Sequence, residues 1–256
     1  MCALRLALLA VTFYFLSTSA RAGELAYAHK SATGARQIVT FPVGLPIPLT
    51  PVGPQADLLA GIDFDPRATT LHAINQTTLS LGTIDTQSGA FTAVAPIAQG
   101  CCSGFTVDPV TGTLYGNIER NVHRIDPVTG ALALVAVIAD PFQPENVPIS
   151  ALTLDCSGQG FATGRLNDTT YLYRWRPSGG AALVGILALD VVTSIESDNR
   201  TGLLYAWSSA SGSTAATYAR IDTTNGNTTP IAFVEGRFRM AIRNPCDRLF
   251  ADGFDG

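Results

Sequence analysis

Two acids stand where chemistry would want them. Asp63 and Glu196 occupy the same place in a repeated stretch, where other copies carry Thr106, Thr153 and Ile242. A carboxylate pair at one site can divide the work of acid and base, as in a glycosidase. Beyond that pair the chain is sparing. Its three histidines, His29, His72 and His123, make no HExxH or similar metal pair. His72 takes the place held by Tyr115 and Tyr205 in other copies, which reads as strand packing, and His29 and His123 fall in or near strands. There is no GxSxG elbow, phosphate loop or dinucleotide fingerprint. "DGFDG" at 252–256 and "DFD" at 63–65 lack the ligand spacing and closing glutamate of a calcium loop. No metal and no cofactor is expected.

The elements that would position these acids are written as a repeat. "FTVDPVTGTLYG" at 105–116 reads as strand, tight turn, strand, and "FDPRATTLHA", "SDNRTGLLYA" and "IRNPCDRLFA" are its relatives. Phe105 and Val107 alternate with Thr106 and Asp108, the period of a strand. Asp accepts backbone hydrogen bonds in the turn, Pro fixes φ and Gly112 tolerates a left-handed conformation. The turn falls at Asp65, Asp108, Asp155, Asp198 and Asn244, in steps of 43, 47, 43 and 46 residues. That period holds four short strands with their turns, one blade of a propeller. A second turn, between the third and fourth strands, recurs as "IDTQSGAF", "IDPVTGAL" and "IDTTNGNT", with "RPSGGAAL" a weaker copy.

A lone small sheet leaves its faces wet, and stacking sheets around an axis buries them. Four complete units run at about 59–100, 101–148, 149–191 and 192–237. The mature N-terminal stretch reads as the later strands of a unit, and the C-terminal stretch "RMAIRNPCDRLFADGF" as about two first strands. Paired, they make a fifth blade with no open sheet edge. The expected fold is therefore all-β: a five-bladed propeller of four-stranded blades, closed by its own ends, with "RLFADG" beside "QIVTF" or "LAYA". A six-bladed ring or an open sandwich is the alternative.

In such a ring the first strands surround a channel, placing Asp63 and Glu196 there as solvated acids. The blade-to-blade connections and the loops between second and third strands gather at one mouth. They supply Asp57, Asn75, Gln76, Asn117, Glu119 and Arg120 from the first half of the chain. The second half adds Glu145, Asn146, Arg165, Asn167, Asp168, Asp190, Glu235 and Arg237. These are the candidate ligand-binding residues, since loops carry function on rigid scaffolds.

The first residues read as an address. Arg5, the apolar run Leu6–Leu16 and Ala20-Arg21-Ala22 fit a signal peptide over 1–22, leaving a single domain over 23–256. No later run is apolar for long enough to be a membrane helix. Removing Arg5 and Arg21 takes the formal net charge from −4 to −6. That balance excludes a general affinity for nucleic acid, which needs a basic face. A secreted or periplasmic protein is expected.

Four cysteines follow the leader, in spacing unsuited to zinc. Cys156 and Cys246 fall in first-strand turns, on the face opposite the mouth, in blades that are not neighbours. Cys101 and Cys102 fall in a connection on the mouth side. A bond between faces would exceed the reach of a disulfide, roughly 4.4–6.8 Å between Cα atoms. Cys101 and Cys102 then either bond to each other or stay free thiols.

The runs "LLAGIDFDPRATTLHAINQTTLSLGTIDTQSGAF" and "DPVTGTLYGNIERNVHRIDPVTGAL" resemble a bacterial secreted propeller family of unknown function. More distantly they are similar to YVTN-type and other WD-like propellers. The shared motifs are turn motifs, so the resemblance implies fold rather than activity. The third unit departs from it, with Cys156 where Pro would stand. The closing "CDRLFADGFDG" resembles a C-terminal signature on exported proteins of some gamma-proteobacteria. Two functions fit: a module that binds a glycan, peptide or envelope partner at its mouth, or a hydrolase or lyase using mouth carboxylates, with or without a divalent metal.

Overall fold

The computed structural model describes residues 24–32, 35–55, 57–98, 100–139, 147–243 and 245–246. Every regular element among them is a strand. The repeated hairpins form as their residue types dictate. Asp108 Oδ1 accepts the backbone N–H groups of Val110 and Thr111 at 2.8 and 3.0 Å, and Gly112 follows at φ 76°. Asp126 does the same for Val128 and Thr129 at 2.9 and 2.8 Å, closing on Gly130 at φ 70°. A Cβ on Gly130 would also collide with the carbonyl of Pro96 in the neighbouring blade. The glycine thus serves both turn and packing.

Five antiparallel sheets of four strands result. Blade 1 holds β1 (Leu25–Ala32), β2 (Ala35–Pro42) and β3 (Thr50–Pro54), with β20 (Arg237–Ile242) as its inner strand. Blade 2 is β4 (Leu59–Phe64), β5 (Leu71–Asn75), β6 (Ser80–Ile84) and β7 (Phe91–Pro96). Blade 3 is β8 (Phe105–Val107), β9 (Leu114–Ile118), β10 (Asn121–Ile125) and β11 (Leu132–Val137). Blade 4 is β12 (Ile149–Leu154), β13 (Gly160–Leu166), β14 (Thr169–Trp175) and β15 (Ala181–Leu187). Blade 5 is β16 (Val191–Asp198), β17 (Leu203–Ser209), β18 (Ala215–Ile221) and β19 (Thr228–Glu235). The inner strands touch in the cyclic order β4, β8, β12, β16, β20 and back to β4, which closes a five-bladed propeller.

Closure uses the two ends, with one difference from the sequence reading. The C-terminal side gives one strand and the N-terminal side three. β20 pairs with β1 in the register Ala28 with Met240. The place beside β20 that "RLFADG" was expected to fill belongs to "LAYA" of β1, and residues 248–253 lie outside the described set. Aromatic packing holds the seam between blades 5 and 1. Trp207 stacks on Phe238 with ring centres 4.1 Å apart and meets Tyr218 at 4.7 Å. Tyr218 donates its hydroxyl to the Val43 carbonyl at 2.9 Å across the seam. All three rings are buried.

Candidate functional site

The inner strands fix what the channel can do. At its mouth end Gly61, Gly104, Ala151, Ser194 and Arg239 converge on a void of about 10 Å³. At its turn end Asp63, Val107, Leu154, Glu196, Ile242 and Pro245 enclose another of about 10 Å³. Each has room for roughly one water.

The two channel acids are therefore not solvated as expected. Asp63 is 5% exposed and Glu196 6%. Asp63 Oδ1 accepts the Phe64 N–H at 2.7 Å, while Oδ2 accepts the Thr106 hydroxyl at 2.9 Å and the Val107 N–H at 2.7 Å. Asp63 and Glu196 also hydrogen-bond to each other, and Glu196 bonds Thr153. Burial pushes Asp63 up to about 6 despite its donors. Burial and the Asp63 charge push Glu196 well above the usual carboxylate range. Both carboxyls are thus held toward the protonated form, and the pair shares a proton while three other donors point at Asp63. The pair ties blade 2 to blade 5 across the axis, and its lone pairs are spent inside the fold.

The turn end is closed by the chain itself. Beyond β20, Pro245 and Cys246 run under the channel, and Cys246 lies against the turns at Asp65–Arg67 and Pro109–Gly112. Cys246 is disulfide-bonded to Cys156 in the turn of blade 4, Cα atoms 5.7 Å apart. Crossing the axis is what lets two blades that are not neighbours share a bond. The Cys101 and Cys102 sulfurs lie against each other, and Gly116 leaves the space that the Cys102 sulfur fills. The cysteines divide by face.

The mouth candidates fall into three groups. Asn75 and Asn117 are fully buried and build loops rather than face a ligand. Asn75 Oδ1 accepts the N–H groups of Thr77 and Thr78 at 2.8 and 3.1 Å. Asn117 accepts from Gly104 N–H at 2.6 Å and donates to the carbonyls of Glu119 and Ile149 at 2.7 and 2.9 Å, fastening blade 3 to blade 4. Their sequence signal was real but structural: an amide at a strand end satisfies the backbone around it. A second group pairs internally. Arg165 bridges Asp168 at 2.9 Å and Asp190 at 2.7 Å. The third group faces out: Glu119, Asn167, Glu235 and Arg237 are exposed, and Asp57 and Arg120 half-exposed. Glu145 and Asn146 lie outside the described residues.

Arg239, which the sequence does not single out, and His29, which it places in or near a strand, lie side by side at this end. Arg239 sits half-buried at the channel's mouth end and donates to the Thr193 carbonyl. Burial, then the charge of Arg237, lower its guanidinium to about 10. His29, opposite Arg239 in the sheet, is 1% exposed and donates to the Asp57 carbonyl. Burial and the charges of Arg239 and Arg36 pull it down to about 4, so the ring is neutral. The pairing of β1 with β20, which joins the two ends of the chain, is what brings these residues together.

Wider grooves lie on the turn side. One of about 430 Å³ is lined by Asp65–Arg67, Pro109–Gly112 and Cys246, and one of about 270 Å³ by Asp155–Ser157 and Ser197–Asn199. Their carboxylates are engaged in holding turns: Asp65 accepts from Thr69 and Thr70, Asp155 from Ser157 and Gln159. Among the described residues, no group of three or more His, Cys, Asp or Glu side chains is gathered as a metal site, and no helix is long and apolar enough to cross a membrane.

No protein-family profile matches the chain, and no curated protein matches it. Solved structures do. A chain from a nidogen/laminin complex is similar over 86% of this chain and 99% of its own, at 10% identity and TM-score 0.58. TolB from Acinetobacter baumannii is similar over 87% of this chain and 67% of its own, at 11% identity and TM-score 0.56. At such identities the likeness shows the propeller fold and nothing finer.

Proposed function

We propose that this protein is an exported binding module that recognises a macromolecular partner through the loop mouth of its propeller. One observation carries the reading. The channel is closed to the volume of about one water at each level, and its two acids are locked to each other. A glycosidase-like pair needs its carboxyls free on either side of a substrate. Here the side chains left free lie on the mouth rim, among them Glu119, Asn167 and Arg237. The turn-side grooves are wider, but their carboxylates hold the turns. A similar propeller comes from a complex with another protein, nidogen with laminin, which suits the reading.

Export is part of the proposal. Residues 1–22 have the pattern of a cleaved leader, and the Cys156–Cys246 bond belongs to an oxidising compartment. The resemblance of the repeats to a bacterial secreted propeller family points the same way.

The test is a binding screen of the protein lacking residues 1–22 against immobilised glycans, peptides and envelope extracts. Any hit is then challenged with two altered proteins. Glu119→Gln with Asn167→Ala at the mouth should weaken binding, while Arg67→Gln with Thr111→Ala on the turn face should leave it intact. The opposite pattern places recognition on the turn face and overturns the proposal.

A further inference from the structure

The chain carries a net negative charge, yet residues 25–55 contain no Asp or Glu. The basic side chains of blade 1 collect at the mouth. Ser31 pairs with Arg36 on one side and Arg237 on the other, so the three side chains stand in one row on one face. One step down, Ile38, His29 and Arg239 make the next row of that face. Arg36 and Arg237 are exposed and Arg239 half-buried. Among the described residues, no carboxylate forms an ion pair with Arg237 or Arg239. The described part of the fold thus leaves these two guanidiniums without a carboxylate.

The same face packs on blade 2, through Tyr27, Ile38 and Ala241 against Leu59 and Ile62. At the mouth end of blade 2 stand Leu58 and Leu79, each 38% exposed. Leu58 is tied to the loop before Leu79: its N–H donates to the Thr77 hydroxyl and its carbonyl accepts from Gln76 N–H. The guanidiniums and these apolar side chains thus stand at the mouth ends of adjacent blades, whose strands β20 and β4 touch.

Spacing selects the ligand. Arg237 and Arg239 are two residues apart on a strand, about 7 Å, which is the distance between alternate side chains of an extended peptide. Arg36 lies two strands from Arg237, about 10 Å away. The planar fork of arginine favours carboxylates. A sugar chain would want an aromatic platform, and Phe233, on the outer strand β19, is the one aromatic among the large exposed apolar side chains described.

We infer that the mouth at the seam of blades 1 and 2 binds an extended acidic peptide segment of a partner protein. Alternate carboxylates sit on Arg239 and Arg237, and an apolar side chain rests on Leu58 or Leu79. This rests on the reading of the mouth as a binding surface.

The probe is a fluorescein-labelled decapeptide alternating Glu with Leu and Ser, compared with its Gln counterpart by fluorescence anisotropy. The Glu peptide should bind at least about tenfold more tightly, and binding should fall with added salt. Arg237→Gln changes an exposed side chain and should weaken binding about threefold to tenfold. Adding Arg239→Gln should abolish it, with folding checked by thermal melts. Arg67→Gln, on the turn face, should change nothing. Equal binding of the two peptides, or loss with Arg67→Gln equal to that with Arg237→Gln, overturns the inference. So does binding of an oligouronate but not the Glu peptide, and in that case the mouth still stands as the binding surface. If Arg239→Gln alone fails to fold, the Arg237→Gln and Leu58→Ser proteins decide, since both positions are surface-exposed.

Discussion

The two ends of the channel are built on opposite plans. The turn end is regular. Its Asp-led turns satisfy their own backbone, and Pro245 and Cys246 are strapped beneath the axis to blade 4. The loop end is irregular, and it leaves Glu119, Asn167 and Arg237 exposed. Equal topology at both ends therefore does not give equal chemistry. Where the carboxylates are spent on local turns, the surface is a scaffold; where loop side chains stand exposed at a channel mouth, it is available for recognition.

The largest test of this contrast concerns the strap. The Cys156–Cys246 bond has a sequence separation of 90 residues. By chain entropy such a closed loop contributes about 4 to 5 kcal/mol. Cys246→Ser should lower the urea midpoint, with a slope that rises as the unfolded chain loses its cross-link. A loss under about 1 kcal/mol would show that the turn end is held by its hairpins alone.

The second test reads the acid pair. Both folded values lie above the unfolded ones, so the folded state binds more protons than the unfolded chain. The pair's contribution is fully present below the unfolded values, near pH 4. It is lost as pH rises through about 6, where Asp63 ionises, and onward as Glu196 follows. Stability should therefore decline toward alkaline pH. Glu196→Gln keeps a donor for Asp63 and removes the upper titration, so its stability should be flatter above pH 6. A pH profile unaltered by that change would mean that the pair does not share a proton.

The smallest effect is expected at the mouth. Arg165 is paired with Asp168 and Asp190, but the three side chains are 26%, 94% and 34% exposed. Solvent screens such pairs, and Arg165→Gln should cost no more than about 1 kcal/mol. A larger loss in a thermal melt would mean that the mouth is braced as firmly as the turn end.

How far the sequence reached can be argued from particular residues. The Asp-Pro-x-Thr-Gly stretches are local devices: turn, strand period and blade length all follow from residue types within a few positions, so the five-bladed ring was legible. So was the division of the cysteines by face, which follows from the alternation of turns and connections. Asn75 and Asn117 misled because a buried amide that fastens loops looks, in one dimension, like an exposed amide that greets a ligand. The juxtaposition of Arg239 with His29, read from sequence only as a strand residue, escapes for another reason. They lie in separate stretches more than 200 positions apart and become neighbours only when β1 pairs with β20. Local pattern determined the blades, because a strand or a turn is decided by neighbours along the chain. The tertiary structure alone decided the channel and its mouth. Whether Asp63 meets water or Glu196, and whether Arg239 meets an acid or none, depends on which inner strands close the ring.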